Sequence, residues 1–330
     1  MTRNAGQRFR PDSANTRLRG QTVLVTGAGG SIGSVIAELV SRTVPDATLL
    51  ALDHDDTLLD SVLQQCSTNS RSLVPVLADI RDTRRIADVF AELRPTVVVH
   101  AAALKHVHLL EMFAEEAIAT NIRGTLNVLE AAATSGTRFF LNISTDKAVG
   151  PASVLGQTKL VSERLVSWFG SAKSMHTASA RLCNVLGSRG SILPKLADAI
   201  NAGRPIPITH PGISRYFLLP QDVLGLLAHA LSATESGLTF VPNLRRPTQI
   251  VDLLAEINAA LGIEPGIDII GLRPGEVLTE SLWDPAAETV VSSTDACVRV
   301  KVPPLDPGAA RSITAPTLRA AATRPLVNAS

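Results

Sequence analysis

From Gln21 onward, short β-branched runs alternate with stretches of helical period. Thr22 to Thr26, Ala47 to Leu52, Leu73 to Leu77, Thr96 to Val99 and Arg138 to Ile143 are apolar runs of strand length. Between them lie segments with apolar residues at helical spacing: one through Ile36, Leu39 and Val40, one around Thr57 to Gln65, one from about Thr83 to Leu93, and a long one from roughly Ala114 to Ser135. This alternation predicts parallel βαβ units in a doubly wound sheet, an α/β fold of Rossmann-like type.

After a further strand-like run at Ser179 to Val185, Pro and Gly become frequent, as in Gly187-Ser188-Arg189-Gly190 and His210-Pro211-Gly212. Helices are expected at about Val223 to Ser232 and Ile250 to Leu261. The pattern predicts a smaller C-terminal α+β lobe over the carboxyl edge of the sheet. The expected division is a flexible arm at 1–20, a dinucleotide-binding domain at 21–185, a substrate lobe at 186–300 and a poorly ordered tail at 301–330. Part of 215–245 is expected to pack back on the first domain.

Composition narrows the class. The chain has 330 residues, 45% of them hydrophobic but only 3% aromatic, so its core is Leu, Val, Ile and Ala. A net charge of +1 argues against nucleic acid or a membrane surface as the main ligand. Cys66, Cys183 and Cys297 are odd in number, far apart and without metal spacing, which fits a reducing cytoplasm. No apolar run approaches the roughly 20 residues of a membrane span. The polar N-terminus lacks an apolar signal core.

Candidate chemistry sits at the strand ends. Gly27, Gly29, Gly30, Ser31, Ile32 and Gly33 form a glycine loop between a strand and a helix. Such a loop lets backbone approach a pyrophosphate, and the helix N-terminus offers free N–H groups. Asp53, followed by His54, ends the next strand about 20 residues after the last glycine, the spacing of a ribose-binding carboxylate. Its charge opposes a 2′-phosphate, so NAD is expected rather than NADP. Asp79 and Ile80 follow the third strand and His100-Ala101-Ala102-Ala103 the fourth, extending one groove for a long flat ligand. Lys105-His106-Val107-His108 lacks helical metal-ligand spacing, so no metal is expected. Ser144-Thr145-Asp146-Lys147 ends the fifth strand, and Lys159 follows on a helix; an acid, an amine and hydroxyls thus share one strand end.

The segments T-G-A-G-G-S-I-G-S, A-D-I-R-D, V-V-V-H-A-A-A-L-K-H-V, N-I-R-G-T-L-N-V-L-E-A-A and I-S-T-D-K-A resemble the extended short-chain dehydrogenase/reductases. R-L-C-N-V-L-G-S-R-G-S, I-T-H-P-G-I-S-R-Y-F and G-L-R-P-G-E are similar to the polysaccharide-biosynthesis branch of that family, typified by the inverting UDP-N-acetylglucosamine 4,6-dehydratase. The resemblance covers about residues 20 to 282. It implies a cytoplasmic homo-oligomer, here a soluble short form, with tightly kept NAD and a nucleotide-sugar in the second lobe. It also implies Thr145, Asp146 and Lys147 as the catalytic trio and Lys159 on the nicotinamide ribose. Asn121 falls where the family has a structural and active-site asparagine, Lys105 at the active-site edge, and Asn184, Arg189, Arg215, Arg273 and Glu276 near the sugar nucleotide. Guanidinium groups suit a diphosphate through bidentate, charge-assisted bonds. One departure stands out: Leu155 occupies the position of the superfamily's tyrosine, and the one tyrosine, Tyr216, lies in the second half.

The implied reaction is a 4,6-dehydration of UDP-N-acetylglucosamine to a 4-keto-6-deoxy sugar. Lys147 is expected to take the C5 proton, Asp146 to protonate the leaving O6, and Thr145 to bind O4. For this, Lys147 needs a lowered pKa, from burial or a neighbouring cation. The alternatives are a nucleotide-sugar epimerase on the same scaffold and an inactive sensor that binds cofactor and sugar.

Overall fold

The computed structural model describes residues 17–66, 72–172, 175–188, 191–262 and 266–322. Arg189 and residues 1–16 and 323–330, parts of the expected site, arm and tail, lie outside them.

The first half has the expected rhythm. Strand β1 (Thr22–Thr26) leads to α1 (Ser31–Thr43), β2 (Thr48–Asp53) to α2 (Asp56–Cys66), and β3 (Leu73–Leu77) to α3 (Thr83–Leu93). After β4 (Val97–His100) come the short helices α4 (Val107–Met112) and α5 (Ala114–Ala117), then α6 (Thr125–Ser135). Strand β5 (Phe139–Thr145), α7 (Val154–Ala172) and β6 (His176–Leu182) complete this half. The long helix expected over 114–135 is interrupted by a π-helical segment, Ile118–Gly124, that contains Asn121. Such segments occur often at functional sites. The strand expected at Ser179 to Val185 begins earlier, at His176, in register with Phe139.

The second half supplies α8 (Ile192–Asn201), α9 (Pro220–Leu231), β7 (Leu238–Pro242), α10 (Ile250–Leu261), β8 (Thr289–Ser293), β9 (Cys297–Lys301), α11 (Pro307–Arg311) and α12 (Ala315–Ala322). One sheet of nine strands runs β8-β9-β7-β6-β5-β4-β1-β2-β3. From β7 to β3 every pairing is parallel, while β9 pairs antiparallel with both β7 and β8. The boundary expected at 185/186 therefore does not part the sheet: three of its strands come from the later half.

Residue alternation along the strands sorts the core into two layers. Val23 and Val25 face α1, α2 and α9; Leu24 faces α3, α6 and α7. A third, smaller core joins α8, α10 and Ile206, Ile208 and Ile213, giving the second lobe its own centre. The segment after 301 is not a loose tail within the described residues. Helices α11 and α12 lie against α7, with Ala310 fully buried and Leu318 nearly so. At the other end of the chain, Leu18 is buried and the Arg17 guanidinium stacks 4.5 Å from the Phe139 ring centroid.

Candidate active site at the strand ends

The glycine loop is packed too tightly for side chains. At Gly27, with φ 64°, a Cβ would stand 2.7 Å from the backbone N and Cα of Ala102. At Gly33 it would stand 2.0 Å from the Gly27 carbonyl oxygen, and at Gly29 2.4 Å from Leu58 Cβ. Asp53, 4% exposed, accepts the Gly29 N–H at Oδ2 (2.8 Å) and those of His54 (2.8 Å) and Asp55 (3.2 Å) at Oδ1. Its carboxylate thus braces the loop as well as its own turn. Helix α1 has Gly30 at its N-cap, with no capping side chain and no acid in its first turn. Its N-terminal N–H groups and positive dipole end fit the pyrophosphate of a dinucleotide. Farther along, Asp79 is held by the Arg81 guanidinium (2.8 and 2.6 Å), whose hydrogen bonds lower the carboxyl's pKa. Ile80 is buried beneath the π-helical segment. Ala101 and Ala102 are half-buried, whereas His54, Ala103 and Lys105 are exposed.

Asn121 is wholly buried and acts as a brace. It accepts the Leu104 N–H (2.9 Å) and donates to the Leu104 carbonyl and the Thr158 hydroxyl, each at 3.1 Å. It thereby ties the strand end after β4 to α7, which carries Lys159.

Strand β5 delivers the polar cluster. Thr145 is extended, and Asp146–Ala148 turns as one 3-10 step. The Thr145 hydroxyl donates to Asp146 Oδ1 at 3.0 Å. Lys147 Nζ donates to the same oxygen, also at 3.0 Å. Asp146 is fully buried, and among the described residues its Oδ2 has no protein partner. A residue that sequence did not single out completes the group: Glu280 Oε1 lies 3.6 Å from Lys147 Nζ.

Here the structure corrects an expectation. Burial alone would lower the Lys147 pKa, but the charges of Asp146 and Glu280 outweigh it and raise the pKa. Lys147 is an ammonium in this arrangement. Burial pushes Glu280 up, with Lys147 opposing, and it also raises the Cys183 thiol beside the group. The lysine that burial does shift down is Lys159, to about 8, against an opposing pull from Glu163. Leu155 points into the core of α7, and nothing phenolic replaces the missing tyrosine there.

The second-lobe residues divide. Arg215 is buried and donates to the carbonyls of Ser214 (2.8 Å) and Leu278 (3.0 Å), close enough to act on the charges of Lys147 and Glu280. Asn184 donates to the Tyr216 carbonyl, stitching two short strands. Glu276 accepts the Arg273 N–H at 3.0 Å and so closes its own turn, with the Arg273 side chain exposed. Lys147, Ser153, Gly275, Val277, Glu280 and Trp283 line a common cleft. Beneath it, fully buried Arg181 makes paired bonds to Glu163 and to Glu288, joining α7 to the 280–288 segment. Among the described residues no helix is long and apolar enough to cross a membrane.

Comparison with known proteins places this geometry. The family profile described as "Polysaccharide biosynthesis protein" matches residues 23–302. The capsular polysaccharide biosynthesis protein CapD of Staphylococcus aureus is 40% identical over 272 residues, which are 80% of this chain and 45% of that protein. The chain thus spans less than half the length of that relative. An inverting UDP-N-acetylglucosamine 4,6-dehydratase of Campylobacter jejuni is 30% identical over 80% of this chain and 77% of its own. A UDP-glucose 4-epimerase of Rickettsia prowazekii is 31% identical over 79% and 77%.

Proposed function

Given that this chain belongs to the polysaccharide biosynthesis protein family, a branch of the extended short-chain dehydrogenase/reductases, we propose that it is a nucleotide-sugar 4,6-dehydratase acting on UDP-N-acetylglucosamine. The observation that carries the reading is the 3.0 Å contact between Lys147 Nζ and Asp146 Oδ1 at the carboxyl end of β5. Dehydration across C5 and C6 needs a base and an acid side by side, and one proton passed across this contact makes an amine and a carboxylic acid from the resting ion pair.

The glycine loop, Asp53 and Lys159 would hold NAD, and a backbone so closely packed fits that role. When bound, the nicotinamide accepts and returns the hydride that makes C4 transiently a ketone. The protein's own residues move the protons. The Thr145 hydroxyl orients O4. The buried Lys159 amine, with its pKa near 8, takes the O4 proton through a water molecule. Lys147 takes the proton from C5, and Asp146 gives its proton to the leaving O6, so water departs and the pair is again ammonium and carboxylate. The Lys147 ammonium then returns a proton to C5. The O4 proton retained on Lys159 balances the one delivered to water, and exchange with solvent resets both sites.

Similarity to an epimerase at the same level of identity supports a second reading, a nucleotide-sugar epimerase on the same scaffold. Incubation with a panel of UDP- and dTDP-sugars, read by mass spectrometry, separates the two. A product lighter by one water supports dehydration. A product of unchanged mass with an altered stereocentre supports epimerisation and rules out the first reading.

A further inference from the structure

Two carboxylates bracket one ammonium in this site, and they come from different lobes. Asp146 is Lys147's neighbour in the 3-10 turn after β5, and its Oδ1 already accepts the Thr145 hydroxyl. Glu280 arrives from the second lobe, and its backbone is pinned. Ser214 N–H donates to the Leu278 carbonyl at 2.8 Å, the Ser214 and Thr279 hydroxyls meet at 2.8 Å, and Arg215 bonds the Leu278 carbonyl. Glu280 is 9% exposed and the Lys147 side chain 20%. An ammonium so poorly hydrated is expensive unless paired, and one oxygen shared with a threonine hydroxyl compensates it only in part.

We propose that Glu280 is a positioning residue for Lys147: its carboxylate clamps the ammonium against Asp146 across the lobes and keeps one proton in the Asp146–Lys147 pair, a role that rests on the acid–base reading above. The consequence is chemical. The pair works with one proton between its two members. Without Glu280 that proton is lost at lower pH, leaving amine and carboxylate with no acid for O6. The charged or titratable groups acting on this trio are Arg215 from the second lobe and Cys183 beyond β6. Arg215 opposes Glu280 by favouring the neutral amine, so Glu280 also offsets that cation.

The test reads Lys147 directly and needs no substrate. The chain holds six lysines, so 13Cε-lysine labelling gives a countable NMR spectrum in which Lys147→Arg identifies the signal. Glu280→Gln should move the Lys147 midpoint down by about one pH unit or more, the scale of an opposite charge within 4–6 Å. The Lys159 midpoint, set by burial and Glu163, should stay. Glu280→Asp keeps the charge on a shorter stem and should give a smaller downward shift; if the glutamine variant does not fold, this variant carries the test. An unmoved Lys147 midpoint in the folded variant overturns the proposal, whatever sugar the protein turns over. With an active substrate, the alkaline limb of kcat/KM should move down in Glu280→Gln. A uniform loss at every pH would mark Glu280 as a structural contact and also overturn it.

Discussion

Gly156 and Lys147 are in contact through backbone: a Cβ on Gly156 would stand 2.1 Å from the Lys147 carbonyl oxygen. The first turn of α7 therefore sits directly on the 3-10 turn that presents Asp146 and Lys147. Gly156→Ala should push that turn away at a cost of about 1–3 kcal/mol. Displacing reacting groups by an ångström costs on the order of 100-fold in rate. Turnover should fall by that order while bound cofactor, measured after denaturation, is retained. Unchanged turnover would mean that the turn does not need this packing.

Asp53→Ala removes the acceptor for the Gly29 N–H and loosens the loop. A hydrogen bond to a charged group contributes about 1.5–3 kcal/mol. Cofactor affinity, measured by calorimetry with NAD, should drop at least about tenfold. The melting temperature should fall as well, because the Gly29, His54 and Asp55 N–H groups lose their acceptor.

Arg181→Met leaves two buried carboxylates, Glu163 and Glu288, facing each other without a cation. Removing one partner of a buried ionic group costs about 3–5 kcal/mol. Chemical denaturation should register that loss, and Glu163→Gln with Glu288→Gln in the same chain should recover much of it.

His100 is wholly buried between the hydroxyls of Thr26 (2.8 Å) and Thr125 (3.0 Å), and burial, with Lys159 adding to it, lowers its pKa to about 3. The unfolded chain takes up this proton below about pH 6.5, whereas the folded chain resists until about 3. His100 thus costs stability as pH falls through that window, by up to about 1.4 kcal/mol per pH unit. Denaturation series between pH 7 and 4 should show a shallower decline in His100→Gln than in the parent.

The βαβ half of this protein is written in local pattern. Val23, Leu24 and Val25 face alternate layers, and the glycines of the loop are demanded by contacts a few residues away or just across the sheet. Asp146 and Lys147 were likewise visible because they are adjacent in the chain. Glu280 was not, since its contact with Lys147 depends on how the second lobe folds back; the expected fall in the Lys147 pKa failed because the charges of Asp146 and then Glu280 outweigh burial. The end read as a loose tail because it is rich in Ala, Pro, Thr and Arg. Ala310 and Leu318 are enough to seat it once the surface of α7 is available. The π-helical segment has no periodic signature distinct from a helix; the resemblance marks Asn121 as structural, but its bonds to Leu104 and Thr158 emerged only in three dimensions.

Turnover in D2O with UDP-N-acetylglucosamine, comparing the parent with Lys147→Ala, tests the acid–base pair most directly. The parent should release one water and place solvent deuterium at C5. The variant should still oxidise C4, accumulating reduced nicotinamide, but incorporate no deuterium at C5. Deuterium entering C5 at the parent rate in Lys147→Ala would contradict the assignment.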